Sequence, residues 1–401
     1  MFFFSVLKKK ILNNLPLQLL LCLGIGIFFG DFFSDQAVAY IYTASYLIKD
    51  LLMLALPVII ISYLLAALVS FEKQAPLLIM AILALVIISN AASVLTAYGV
   101  AQFTFPLLKG MTAHSLVTTQ EAIHPIWMLG IPPILSPDRA LLIGITIGLI
   151  TNLIPSQALG QFVKKWSFRL RDGTTRGLKR GFIPFLPIYV LGFVLKLDRD
   201  GSLGILVQNY GRVFVLSCFL IIAYIALLYA MAARFKGSVW LNFIREMVPA
   251  GLTGFSTMSS AATMPVTLAA TEKNLQDRSY ADFVIPTTVN IHLIGDGLNI
   301  ALTSLALLVM AGQPLPGMHD YLYFTLYYCL AKFSCAGVPG GGVLVILPVA
   351  QTYLGLNPEM TSLLATIYIL QDPILTSANV MGNGAFALLT RNFFKAFEAK
   401  N

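Results

Sequence analysis

Asp372, Thr376, Asn379 and Asn383 recur three and four residues apart in an otherwise apolar stretch near the C-terminus, a spacing that gathers them on one face of a helix. A carboxylate at bilayer depth costs about 2.5–3.5 kcal/mol on insertion scales, so an acid held there has a partner or a task. Asp372 suits a substrate ammonium or a cation. The alternative is that it caps the start of this helix, with Pro373 in the first turn. A second polar set, Asn290, His292, Gly295, Asp296, Gly297 and Asn299, interrupts the apolar run 281–311. His292 and Asp296 stand four apart, so on a helix they face each other and form a candidate proton carrier; a simply hydrogen-bonded histidine is the alternative. Gly295-Asp296-Gly297 with Asp372 also admits an intramembrane aspartyl protease, which the surrounding segments fit poorly.

Two broken segments must position these groups. Ser256-Thr-Met-Ser259-Ser260-Ala-Ala-Thr263-Met-Pro265 puts hydroxyls, small residues and a proline inside a hydrophobic span. Cys335-Ala-Gly337-Val338-Pro339-Gly340-Gly341-Gly342 does the same about eighty residues later. At membrane depth the backbone groups freed by such breaks must be satisfied by protein or by a water-lined cavity. Residues with little side chain also allow close approach and leave N–H and C=O groups for a ligand. Ser259, Ser260 and the loop Gly337, Val338, Pro339, Gly340 are therefore candidate substrate-binding residues; for the loop, a flexible surface turn is the alternative. Each break precedes an apolar helix carrying amides and an acid, the pattern of a repeat-built secondary transporter.

Composition agrees: of 401 residues, 58% are hydrophobic and 11% charged, as in a polytopic membrane protein. Apolar runs at 11–30, 47–70, 76–106, 140–163, 182–197 and 210–234 predict six ordinary helices, with 164–180 as a basic linker. The net charge of +8 comes from Lys8, Lys9, Lys10 and the linker, which mark cytoplasmic loops and exclude a nucleic-acid reading. Cys22, Cys218, Cys329 and Cys335 show no disulfide or metal spacing. From 243 onward, a broken segment (243–270), a helix (281–311), a second broken segment (325–355) and a last helix (358–392) form one unit repeated. The chain is thus expected to be all-α, with eight transmembrane helices and two re-entrant helical hairpins entering from opposite faces. Its N- and C-termini are expected in the cytoplasm, in the cell membrane.

The motifs resemble the dicarboxylate/amino acid:cation symporter family, with its glutamate-transporter-like fold of inverted repeats. Ser259-Ser260-Ala261-Ala262-Thr263-Met-Pro265-Val266-Thr267 is similar to the family's serine-rich first hairpin tip, and Ala336-Gly337-Val338-Pro339-Gly340-Gly341-Gly342 to its second tip. Asp372, Thr376, Asn379 and Gly382 match the last-helix pattern. The resemblance implies a homotrimer in membrane lipid that works as an elevator. Residues 1–74 would be scaffold helices one and two, and 75–110 the third helix, belonging to the transport domain. Residues 111–200 would be scaffold helices four and five with their loops, and 201–401 the rest of the transport domain. Ser260 would hold a substrate carboxylate, the Gly337 and Val338 backbone would close over it, Asp372 would take the amino group, and Thr376 and Asn379 would complete the pocket.

The family's arginine is Leu375 here, which cannot neutralise a second carboxylate. A small neutral amino acid is therefore favoured over a dicarboxylate or acidic amino acid. The final aspartate is Asn383, and a gap-free match puts His292 and Ile294 where the family has asparagine and aspartate; a two-residue gap would instead keep Asp296. Asn290, His292, Asp296 and Asn383 are the candidate cation-coupling residues, Asn379 and Asn383 the candidate sodium contacts, and the coupling ion is a proton or sodium. No cofactor is expected. A substrate-gated channel and an intramembrane enzyme are the readings of other classes, but the polar residues cluster in the last third and no nucleophile elbow surrounds Ser260.

Overall fold

The computed structural model describes residues 15–69, 76–107, 123–131, 134–153, 157–335, 337 and 339–398, and among these every regular element is helical. The first group in chain order is α1 (Leu15–Phe29), α2 (Asp35–Val69), α3 (Pro76–Thr104), α4 (Pro137–Leu153), α5 (Gln157–Gly181), α6 (Leu186–Arg199) and α7 (Ser202–Ala232). Then follow α8 (Gly237–Thr257), α9 (Ser260–Leu275), α10 (Arg278–Thr288), α11 (Ile294–Met310), α12 (Met318–Lys332), α13 (Gly341–Leu344), α14 (Leu347–Leu354) and α15 (Pro358–Glu398). Among the described residues, five helical stretches are long and apolar enough to cross a membrane: Leu15–Phe32, Asp35–Ala66, Met80–Leu107, Gly160–Arg199 and Tyr210–Ala232. Large apolar side chains such as Phe28, Ile88, Phe219, Ile222 and Leu252 are exposed on α1, α3, α7 and α8, a surface suited to lipid.

The packing separates two sets of helices. Helix α2 packs against α4, α5 and α6, and α1 packs against α6. The long α15 instead packs against α7, α8, α9 and α11, while α3 runs along α11 and α12. The sets meet where α6 touches α7 and α15, where α1 touches α15, and where the Tyr189 hydroxyl donates to Ser362 O at 3.2 Å.

Three expectations change. The basic stretch 164–180 is not a linker but most of helix α5. Its charges lie outward while Ser167 and Leu178 are buried, and the Tyr63 hydroxyl of α2 meets Thr175 at 2.6 Å. The second apolar run begins at Asp35 rather than 47, because Tyr and Thr residues lower the hydropathy of its first turns without breaking the helix. The run 281–311 is not one helix. It opens at 289–293 between α10 and α11, where Asn90 of α3 donates to Ile291 O at 2.8 Å and accepts from Leu293 N–H at 3.1 Å. Freed backbone groups need such partners away from water.

The two breaks foreseen in the chain are present. Between α8 and α9, Met258 is left-handed (φ 49°) and Ser259 is extended, and the Ser259 hydroxyl caps α9 by accepting from Ala262 N–H at 3.2 Å. Between α12 and α13, Gly340 takes φ 73°, a conformation that favours glycine.

Candidate functional site

The two breaks touch each other. The Ser259 hydroxyl donates to Gly337 O at 2.6 Å, tying the first tip to the second. Gly337 lies so close to the 289–293 break that a side chain there would run into the Asn290 amide oxygen and come within 3.0 Å of Ala261. Around this contact, Ser260, Asn290, Leu293, Asp296, Gly337, Gly342, Tyr368, Asp372, Thr376 and Asn379 line a cavity of about 20 Å³, room for about one water. The tips are closed on it.

Helix α15 carries the polar face that its spacing implies. Asp372 is not a cap: it sits in the middle of a helix that begins at Pro358. Its Oδ2 accepts from Gly340 N–H at 2.6 Å and its Oδ1 from the Thr376 hydroxyl at 3.0 Å. Both donors are neutral, and among the described residues no basic side chain comes within ion-pair distance of it.

Asn379 reaches the other acid. Its amide donates to Asp296 Oδ1 at 2.8 Å, and its oxygen accepts from the Gly295 N–H at 2.8 Å and the Asp296 N–H at 3.3 Å. A Cβ on Gly295 would come within 2.9 Å of Leu375 O, so glycine is what lets α11 approach α15 this closely. Asp296 Oδ2 accepts from Lys332 Nζ at 2.7 Å, and both side chains are essentially unexposed (1% and 0%). Removing one partner of such a pair costs about 3–5 kcal/mol, because the other charge is left buried alone.

His292 and Asp296 do not meet. The break puts them on different elements: His292 Nε2 bonds Ser89 Oγ at 2.8 Å and its ring lies 4.4 Å from that of Phe386, while Nδ1 has no partner. Asp296 takes Lys332 instead. Asn383 donates to His292 O at 3.1 Å and Asn379 O at 2.9 Å, leaving its own oxygen buried without a partner. Leu375 is fully buried, and neither it nor Pro339 is among the described residues lining the cavity. Val338 lies outside the described residues.

As a sodium site the surroundings of Asp296 fit poorly. Hard cations take oxygen ligands, yet both carboxylate oxygens and the Asn379 oxygen are already engaged. Among the described residues no cluster of His, Cys, Asp and Glu could hold a metal. Sequence reasoning missed Lys332, Asn90 and Tyr368. The first two were visible as a lone cation and a lone amide in apolar helices, the kind of residue a membrane span keeps for a purpose.

A family model described as the sodium:dicarboxylate symporter family matches residues 15–393. The chain belongs to this family. With its apolar helices, that makes it a multi-pass membrane protein of a transporter family. It is similar to an excitatory amino acid transporter of Onchocerca volvulus, 32% identical over 155 residues, covering 38% of this chain and 31% of that protein. It is 33% identical over 143 residues to excitatory amino acid transporter 2 of Homo sapiens, covering 35% of this chain and 25% of that protein. The matched part thus spans between a quarter and a third of these relatives.

Proposed function

We propose that the protein is a secondary active, cation-coupled symporter that carries a small neutral amino acid. The observation that carries this reading is the make-up of the cavity wall: it holds two carboxyl side chains, Asp296 and Asp372, and no Lys or Arg is among the described lining residues. Lys332 balances Asp296, which leaves Asp372, held only by neutral donors, to take the substrate's ammonium. The substrate carboxylate goes to Ser260 and the start of α9, where the helix N-terminus favours an anion. Thr376 and Asn379 complete the pocket, and the 337–340 backbone, Val338 included, closes it. The zwitterion is then matched charge for charge, and a second carboxylate would meet no cation.

In this reading α8–α9 and α12–α14 are re-entrant hairpins, and the separate packing of the two helix sets supports a scaffold of residues 1–74 and 111–200 beside a moving transport domain of 75–110 and 201–401. A homotrimer in the cell membrane, with cytoplasmic termini and elevator-type alternating access, completes the picture. Coupling is to a proton or to sodium. The second reading, a sodium-coupled dicarboxylate or acidic amino acid carrier, is favoured by the family's description and the relatives' names; Leu375 counts against it.

Uptake into proteoliposomes tests the assignment, with imposed sodium and pH gradients applied separately to neutral amino acids and to aspartate. Saturable, gradient-driven uptake of a neutral amino acid is expected, and Leu375→Arg should move preference toward aspartate by about tenfold or more. Aspartate preferred by the unaltered protein would overturn the neutral assignment, and unsaturable flux would make it a channel.

A further inference from the structure

Among the described residues, Lys332 is the most deeply buried cation. It is the last residue of α12, at the helix end whose dipole favours positive charge, and its side chain is wholly buried. Its ammonium donates to Asp296 Oδ2 at 2.7 Å and to Gly342 O at 2.9 Å. Those two bonds join three elements: the first arm of the second hairpin, the start of its second arm, and α11. The space is filled around them. A Cβ on Gly342 would collide with both the Asp296 carboxylate and the Tyr368 hydroxyl, and the ring of Tyr328 lies 5.1 Å from the ammonium.

A carboxylate oxygen and a backbone carbonyl are hard oxygen groups of the kind that bind a small cation. Here they surround a positive charge that the chain itself supplies. A buried charge persists only when paired and hydrogen-bonded, and each partner serves the other. The pair also lies directly behind the cavity, since Asp296 and Gly342 are part of its wall. The Lys332–Asp296 bond ties this hairpin to α11.

We propose that the Lys332 ammonium is a tethered cation that occupies the cation-binding place at Asp296, so that the second hairpin closes without an alkali ion there. The proposal deepens the symporter reading and rests on it for the meaning of hairpin closure. In a cation-coupled carrier this removes one ion from the cycle, and sodium, where used, acts elsewhere. Substituting the lysine by a small hydroxyl residue should re-create an alkali-ion site from the same oxygens.

The test compares thermal unfolding of the full-length protein in sodium chloride and in choline chloride at equal ionic strength, without substrate. Lys332→Ser is expected to gain a sodium-dependent rise of about 2–4 °C over that of the unaltered protein, as a bound ion stabilises by mass action. An unchanged sodium response in folded Lys332→Ser overturns the proposal. Where Lys332→Ser does not fold, Lys332→Met combined with Asp296→Asn replaces it. That charge-free pair is expected to fold with the unaltered sodium response, and a larger response overturns the proposal. Because no substrate is present, the two readings fail separately. A gained sodium response with no amino acid uptake sinks the transport assignment alone, and uptake with no gained response sinks the tethered cation alone.

Discussion

Asp296 and Asp372 are the same side chain on facing helices, both nearly unexposed and both in the wall of one small cavity, yet their partners differ in kind. Asp296 is bound by an ammonium at 2.7 Å and an amide at 2.8 Å. Asp372 is bound by a backbone N–H and a hydroxyl. Neutral donors orient a carboxylate without cancelling its charge, whereas Lys332 cancels it. One acid is thereby neutralised within the fold, and the other is left for the substrate ammonium in the symporter proposed above. A buried acid in a transporter is therefore sorted by the charge of its neighbours and not by its depth.

The contrast predicts unequal responses. Lys332→Ala leaves Asp296 buried and alone, and should destabilise the protein by about 3–5 kcal/mol in thermal or denaturant unfolding; Thr376→Ala, beside Asp372, should cost far less, and equal losses would erase the distinction. Asp372→Asn should leave stability nearly intact but weaken amino acid binding by about 2–5 kcal/mol, read by calorimetric titration with the amino acid the unaltered protein accumulates. Unchanged affinity would mean that Asp372 does not meet the ammonium. Gly342→Ala forces a methyl against Asp296 and Tyr368, and a loss of about 1–3 kcal/mol should be suppressed by Tyr368→Phe if crowding is the cause. Ser259→Ala removes the bond to Gly337, worth about 0.5–1.5 kcal/mol, and should raise hydrogen exchange across 337–342 while sparing 294–310.

Much of this site was legible because its residues violate the surrounding hydropathy. Ser259 and Ser260 follow from hydroxyls in an apolar span, and the Asp372, Thr376 and Asn379 face follows from helical spacing. Lys332 was passed over because a cation close to a glycine loop reads as a surface charge until the loop is folded inward. The polar residues at 290–299 were legible, but that the helix itself opens at 289–293 was not, because the partner that stabilises the opening is Asn90, far away in the chain. For the same reason His292 and Asp296 looked like a pair: spacing makes neighbours only while the helix continues. The basic stretch 164–180 read as a linker because charge was taken for loop, although Leu, Lys and Arg are good helix formers.

Asn90 has a consequence for how the chain is made. Its side chain answers backbone groups 201 and 203 residues further on, so at synthesis rates of about 5–20 residues per second it waits roughly 10–40 s for them to emerge. During that interval α3 holds an amide in an apolar helix with its final partners not yet translated. The early helix is thus a provisional tenant of the membrane, seated for good only when the late segment arrives, and a ribosome stalled before Leu293 would leave a nascent chain with a polar group that quality control can recognise.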